Sequence, residues 1–201
     1  FGFMPDMQSD EELMARILER DEHAFRDLIE RHQDRVYGLV ARMMGGAGPE
    51  AEEVAQDVFL RIWKSAGTYR AEGKFTSWLM MVARNQVFTR LGQQKRRKDI
   101  DGDNPVDEET GESLLERHAD GGASAPSEVL SLKELQKAVE EACAELPESQ
   151  RLIVHLRQYE GLEFEEIGKI TGQSLTAVKA LMFRAREKLK KKLSGYLSAS
   201  N

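Results

Sequence analysis

Two blocks of apolar residues at helical spacing, separated by a segment that is poor in apolar residues, constrain the fold of this chain most. In each block the apolar residues recur at three- and four-residue steps, which places them on one face of a helix. Between the blocks, residues 99–128 hold ten acidic residues and a single base, Arg117. A segment of this composition cannot bury enough apolar surface to fold, so we predict a flexible acidic linker there.

The periodicity predicts an all-α protein, because no stretch shows sustained alternation of apolar and polar residues. We expect two small helical domains, residues 1–98 and 129–201, joined by the linker 99–128. The first domain should have four helices and the second about four. Ser9 and Glu12 form a capping-box pair before the first helix, and Pro49 suits the first turn of another. The linker could hold a short helix around residues 113–118.

The composition excludes several classes of protein. A hydrophobic fraction of 40% is enough to build folded cores, and the single cysteine, Cys143, cannot form an internal disulfide or a cysteine zinc site. No apolar run is long enough to span a bilayer. The N-terminal residues lack the pattern of a signal peptide. We therefore predict a cytoplasmic protein.

No arrangement of residues predicts catalysis, a metal site or a cofactor. The glycine run at residues 45–48 lacks the Lys-Ser/Thr of a phosphate-binding loop. The four histidines are scattered and form neither a metal-binding nor a triad pattern with Cys143. They are His23, His32, His118 and His155. We expect no enzyme activity, no cofactor and no small-molecule substrate.

Residues 164–181 fit a helix-turn-helix closely. Gly168 should let the two helices approach, Gly172 should supply the positive φ of the turn, and Ser174 should cap the second helix. Ile167, Val178 and Leu181 should pack the helices together. In this motif the start of the second helix enters the major groove of DNA. The residues expected to face the bases are Ser174, Thr176, Ala177, Lys179 and Ala180, and those expected at phosphates are Arg184 and Arg186.

The charge of the C-terminal segment agrees with DNA binding, although the whole chain has a net charge of −6. After Ile167 there are eight bases and one acid, Glu187. Such a concentration of positive charge is typical of phosphate binding. The alternative is an ordinary helical hairpin with a solvated, lysine-rich tail.

Aromatic and basic residues are close together in the first domain. Tyr69, Phe75 and Trp78 are followed by six bases without an intervening acid: Arg84, Arg90, Lys95, Arg96, Arg97 and Lys98. Aromatic rings beside positive charge are typical of single-stranded nucleic acid sites. We expect residues 67–75 to form a loop that exposes Tyr69 and Phe75, with Thr76 or Ser77 capping the next helix. Trp78 could belong to this site or to the core.

The third predicted helix has an acidic polar face, formed by Glu50, Glu52, Glu53, Gln56, Asp57 and Arg61. Negative charge disfavours contact with nucleic acid and is compatible with a protein partner. A solvated face without a partner is the alternative.

Together these segments resemble the extracytoplasmic-function (ECF) subfamily of bacterial RNA polymerase sigma factors. The resemblance covers almost the whole chain except the extreme N-terminus and the linker. Its stretches are residues 24–32, 51–63, 75–79 and 83–85, Leu146-Pro147, and the helix-turn-helix as far as residue 186. The family usually has Thr, Ser and Arg where this chain has Ala177, Ala180 and Leu181, so fewer polar groups would face the groove.

The resemblance implies a factor that binds core RNA polymerase and directs transcription from specific promoters. The third helix would dock on the polymerase through Glu53, Gln56, Asp57, Leu60 and Arg61. The helix from Ser174 would read the −35 element. The residues implied for recognition and melting of the −10 element are Tyr69, Phe75, Thr76, Trp78, Arg84, Asn85 and Arg90. Many members are held inactive by an anti-sigma factor, often at the membrane.

Three other classes of protein remain as alternatives. A stand-alone helix-turn-helix repressor or activator would explain the second domain but not the aromatic and basic residues of the first. A nuclease or nucleotide-binding enzyme lacks a recognisable site. A structural helical adaptor would need neither the basic-aromatic segment nor Gly172.

Overall fold

The computed structural model describes residues 8–71, 73–101 and 132–198, and within these ranges every regular element is a helix. The predicted all-α class is therefore confirmed. The first domain contains α1 (Asp10–Leu18), α2 (Glu22–Met44), α3 (Pro49–Ser65), a short 3₁₀ turn (Ala66–Thr68) and α4 (Phe75–Asp101). The second contains α5 (Leu132–Ala144), α6 (Glu148–Gln158), α7 (Phe164–Thr171), α8 (Leu175–Lys192) and α9 (Ser194–Ser198).

The helix ends of the first domain follow from local chemistry. The predicted capping box is present, since the Glu12 amide donates to Ser9 Oγ at 3.2 Å and the Ser9 amide donates to Glu12 at 2.8 Å. Asp21 caps α2 by accepting from the His23 amide at 2.9 Å. Gly45 ends α2 with a φ of 88°, a conformation that favours glycine. Pro49 opens α3, as predicted.

α2 lies at the centre of the first domain and packs against α1, α3 and α4. Its fully buried residues include Leu28, Val36 and Leu39. In the second domain α8 packs against α5, α6 and α7, around the buried Ile153 and Ile167. The apolar periodicity of the sequence therefore identifies the faces that form both cores.

The two domains pack against each other in a closed arrangement, which the sequence alone leaves open. α2 contacts α6, and α4 contacts α7. Buried apolar residues from both domains belong to one continuous cluster. The chain between residues 101 and 132 lies outside the described residues, and so does the predicted helix around residues 113–118. The first three residues of the predicted linker, 99–101, belong to α4. Among the described helices, none is long and apolar enough to cross a membrane.

Candidate nucleic-acid and polymerase surfaces

The helix-turn-helix of the second domain has the geometry that the sequence predicts. Gly172 follows α7 with a φ of 70°, and Ser174 caps α8 by accepting from the Ala177 amide at 3.2 Å. A Cβ atom added to Gly168 would lie 2.9 Å from the carbonyl oxygen of Gln173. Ile167 and Val178 are fully buried between the helices. The glycines therefore permit the close turn that presents α8.

The outer face of α8 presents most of the side chains predicted to read DNA. Ala177 is half-buried, while the other six are exposed: Ser174, Thr176, Lys179, Ala180, Arg184 and Arg186. Phe183 lies on the same face, one turn after Lys179, and is 65% exposed. The sequence-based prediction did not include Phe183, although this residue falls outside the buried stripe of Val178 and Met182. An exposed ring can contact thymine methyl groups in a major groove.

The aromatic cluster of the first domain differs from the prediction. Phe75 is 2% exposed, so the expectation of an exposed Phe75 in a loop was wrong. The reason is that α4 already begins at Phe75, whose ring packs 5.1 Å from His32 of α2. The amides of Ser77 and Trp78 donate to the Lys74 carbonyl, so neither Thr76 nor Ser77 caps the helix as predicted.

Tyr69 and Trp78 are the members of this cluster that reach the surface. Both are half-buried, and their ring centroids are 5.1 Å apart in an edge-to-face arrangement. The hydroxyl of Tyr69 is buried and has no hydrogen-bond partner among the described residues. Burial, followed by the charges of Glu11 and Asp10, raises the pKa of Tyr69 above its usual value. Aromatic rings that reach the surface are suited to stacking with unpaired bases.

The basic residues of α4 are held in different ways. Arg84 donates from Nη1 to Asn85 Oδ1 at 3.0 Å, and Asn85 itself is exposed. Arg90 instead faces α3, where its Nη2 lies 2.8 Å from Glu53 Oε2 and its Nη1 lies 3.9 Å from Glu50. Thr76 is half-buried in the first turn. The arrangement brings Arg84 and Asn85 together and separates Arg90 from them.

The polar face of α3 is accessible along its length. The five residues predicted to bind polymerase are all exposed: Glu53, Gln56, Asp57, Leu60 and Arg61. Leu60 is 50% exposed, while Val58 and Ile62 on the opposite face are fully buried. An accessible leucine within a charged face is suited to a protein interface, where apolar contacts are surrounded by polar ones.

The described residues contain no group of three or more His, Cys, Asp or Glu side chains that could hold a metal ion. Cys143 is a half-buried free thiol. Burial raises the pKa of this thiol, which makes it a poorer nucleophile.

Comparison with known proteins identifies the family of this chain. Residues 28–97 match the family Sigma-70 region 2, and residues 136–189 match Sigma-70, region 4. The RNA polymerase sigma-H factor of Pseudomonas aeruginosa is 30% identical over 194 residues, which cover 96% of this chain and 98% of that protein. The ECF RNA polymerase sigma-E factor of Escherichia coli K12 is 30% identical over 193 residues, covering 94% and 97%.

Two solved structures share the fold. The sigma factor RpoE in complex with the anti-sigma factor NepR from Bartonella quintana superimposes with a TM-score of 0.62 at 19% identity, covering 85% of this chain and 96% of that one. CnrH in complex with the cytosolic domain of CnrY gives a TM-score of 0.61 at 21% identity, covering 96% and 100%. The domain matches and the relatives that span nearly the whole chain show that this protein belongs to the ECF subfamily of the sigma-70 family of RNA polymerase sigma factors.

Proposed function

We propose that this sigma factor binds core RNA polymerase through the exposed face of α3 and recognises promoters through α4 and α8. The observation that carries the proposal is the placement of three chemically different surfaces on separate helices. α3 presents acids with the accessible Leu60. α4 carries Arg84 and Asn85 and, near its start, the half-buried Trp78 that packs against Tyr69. α8 presents bases beyond a tight turn.

In this proposal α8 reads the −35 element in the major groove, and the bases beyond its first turns neutralise phosphates. The surface around Tyr69, Trp78 and Arg84 binds the melted −10 element, with rings for stacking and a guanidinium for the backbone. Phe75 supports this surface from the core. The division of roles follows residues 1–98 and 129–201, with 99–128 as the connection.

The proposal includes control by an anti-sigma factor. The two solved structures compared above are both complexes: RpoE is bound to the anti-sigma factor NepR, and CnrH is bound to the cytosolic domain of CnrY. The proposal also includes a cytoplasmic location, where the polymerase is found, with retention at the inner membrane face when the anti-sigma factor is anchored there. The factor has no catalytic site and needs no cofactor or small-molecule substrate, since catalysis of RNA synthesis belongs to the polymerase.

The test is binding of the purified chain to core RNA polymerase, followed by run-off transcription from a genomic promoter library with and without it. We expect a tight complex and new promoter-specific transcripts, whose start sites define the −10 and −35 sequences. If a core enzyme that is active with another sigma factor forms no complex, and the chain alone binds duplex DNA specifically, a stand-alone regulator replaces this proposal.

A further inference from the structure

A cavity of about 470 Å³ is lined by α2 of the first domain and by α5 and α6 of the second. Tyr37 and Ala41 belong to its wall on α2, and Cys143 and Val154 belong to its wall on the second domain. The volume falls within the range of about 300–1,000 Å³ that is typical of sites for small molecules. Such sites are mostly apolar and contain a few polar groups that orient the ligand. The polar groups of this cavity therefore indicate the chemistry of its ligand.

Two side chains of the cavity wall have buried polar atoms without hydrogen-bond partners among the described residues. His155 is 2% exposed, and neither of its ring nitrogens has such a partner, although Nε2 lies 3.5 Å from Glu160 Oε1. Nε of Arg151 is also buried without one. A polar group that is buried without a partner is unfavourable. A ligand that supplies the missing hydrogen bonds would therefore be favoured.

Arg151 places a positive charge in this wall without a hydrogen-bonded carboxylate among the described residues. Its guanidinium donates to the neutral carbonyl groups of Met43 at 3.0 Å, Leu146 at 2.9 Å and Ala144. Burial lowers the pKa of Arg151 below its usual value of 12.5, although the charge of Glu148 opposes this shift. Buried charges in proteins are usually paired with an opposite charge. An anionic group on a ligand would provide that pair.

A stack of one guanidinium and two rings forms another part of the wall. Cζ of Arg42 lies 3.9 Å from the centroid of the Tyr159 ring, and that ring stacks on His155 with centroids 5.3 Å apart. Arg42 Nη1 donates to the Gly38 carbonyl at 3.1 Å. Because a guanidinium has several N–H donors, this bond leaves others for a carboxylate. The flat groups of the stack are also suited to packing against an aromatic ligand.

The acidic residues of the cavity wall do not balance its buried positive charge. Glu140 and Glu141 line the cavity, but both are exposed, which places them at its rim. Glu140 accepts from Gln136 Nε2 at 3.1 Å, and Glu141 lies 3.8 Å from Lys137 Nζ. Solvent screens exposed carboxylates more strongly than it screens buried groups. The buried part of the cavity therefore favours an anion over a cation.

We propose that this cavity binds a small organic carboxylate with an apolar, aromatic body. The carboxylate pairs with Arg42 and Arg151, His155 forms a further hydrogen bond, and the body packs against Tyr37 and Val154. The inference goes beyond the proposed function, because none of the lining residues belongs to the surfaces assigned to polymerase or promoter DNA.

The single cysteine of the chain provides a probe inside the site, because Cys143 lines the cavity. The test uses the full-length chain and measures by mass spectrometry the rate at which iodoacetamide, a neutral reagent, alkylates Cys143. The added ligand is naphthoate, and two compounds of similar size control for charge: the neutral naphthamide and the cation naphthylmethylammonium. A chain unfolded in urea shows whether naphthoate affects the reagent itself.

We expect naphthoate to slow the alkylation of the folded chain in a saturable way, and not that of the unfolded chain. Naphthamide should need about a tenfold higher concentration, because it lacks the charge that strengthens hydrogen bonds to the arginines. The cation should give no protection. Alkylation that does not respond to naphthoate overturns the site, and equal protection by naphthamide overturns the assignment of an anion.

Three variants test where naphthoate binds. Arg42→Gln should raise the dissociation constant of naphthoate about tenfold, toward that of naphthamide. Ala144→Phe, which fills the cavity from an exposed position in its wall, should make the alkylation rate independent of naphthoate. Arg157→Gln is the matched control, since it makes the same charge change on α6 outside the cavity wall, and its affinity should equal that of the wild type.

Circular dichroism of each variant should equal that of the wild type. Wild-type affinity for naphthoate in both Arg42→Gln and Ala144→Phe would mean that naphthoate binds elsewhere, which also overturns the proposal. None of these measurements uses polymerase or DNA. A failure here therefore leaves the proposed function to its own test.

Discussion

Arg90 on α4 and Glu53 on α3 form an ion pair, with Arg90 Nη2 2.8 Å from Glu53 Oε2. The pair connects the helix proposed to bind DNA with the helix proposed to dock on polymerase. The Arg90 side chain is 20% exposed and that of Glu53 is 60% exposed. If a polymerase side chain pairs with Glu53 in place of Arg90, the Arg90 guanidinium can contact DNA instead. The two binding events should therefore be coupled.

The coupling can be measured with Glu53→Ala, Arg90→Ala and the double variant. Because the Glu53 carboxylate is 60% exposed and therefore well solvated, each single change should alter the free energy of unfolding by less than about 1 kcal/mol. The effects on the rate of promoter opening should be non-additive, with a coupling energy of about 0.5–1 kcal/mol. Urea unfolding and open-complex kinetics on a mapped promoter give the two quantities. Additive effects would mean that the two residues act independently.

Gly168→Ala should disturb the helix-turn-helix. The added Cβ would lie 2.9 Å from the Gln173 carbonyl, which belongs to the backbone of the turn and cannot move away cheaply. We expect a loss of about 1–3 kcal/mol in the free energy of unfolding, together with weaker binding of a −35 duplex. Gly195→Ala is the matched control, since none of the described atoms outside its chain neighbours and its own helix backbone lies within 4 Å of its added Cβ. Equal stability of the two variants would contradict the close approach of α7 and α8.

Replacing Lys179 or Arg184 should reduce the salt dependence of DNA binding, whereas replacing a neutral residue of α8 should not. Both side chains are exposed on the outer face of the helix. Each alanine substitution should weaken binding of a cognate −35 duplex, and loss of a phosphate contact should reduce the slope of log K against log salt by about one. Fluorescence anisotropy at several salt concentrations provides both values. Wild-type affinity and slope in both variants would remove α8 from the DNA interface.

Gln56→Ala with Asp57→Ala should weaken binding to core polymerase without unfolding the first domain. Both side chains are exposed on α3, and the buried side of that helix is formed by other residues. We therefore expect a change of less than about 0.5 kcal/mol in the free energy of unfolding, with an increase of about tenfold in the dissociation constant for core enzyme. Competition against a labelled sigma factor measures the affinity. An unchanged constant would exclude this part of α3 from the docking surface.

The sequence predicts the features of this protein that depend on local chemistry. Helical periodicity identifies the buried faces of both domains, and Gly168, Gly172 and Ser174 have the conformations and contacts expected of a tight turn. A family resemblance adds the possible roles of the surfaces.

The features that the sequence does not predict depend on distant contacts. Phe75 looks like a loop residue, but its burial follows from packing against His32, which is 43 positions away in the chain. Local periodicity likewise does not predict that Arg90 pairs with Glu53 of α3. Nor does it predict that Arg151 donates a hydrogen bond to the Met43 carbonyl. The closed arrangement of the domains is the sum of such contacts.

The ion pair between Glu166 and Lys74 should make the interface between the domains sensitive to acid. The hydrogen bond from Lys74, more than any other interaction, lowers the pKa of Glu166 from its usual value of 4.5. A carboxyl group with a lowered pKa stabilises the closed state fully above pH 4.5, and this contribution is lost as the pH falls through the lowered pKa. Acid should therefore weaken the closure.

The comparison that isolates this effect uses Glu166→Gln, because glutamine can still accept the hydrogen bond that the Glu163 amide donates to Glu166 at 3.2 Å. The wild type should be more stable than Glu166→Gln by about 0.2–1 kcal/mol near neutral pH, the range of ion pairs with an exposed partner. Thermal unfolding between pH 7 and pH 3.5 should show a constant difference down to about pH 5 and a shrinking one below pH 4.5. Glu165→Gln, which removes an exposed neighbouring charge, should not reproduce this pattern. A difference that persists at the lowest pH would show that the charge of Glu166 does not stabilise the interface.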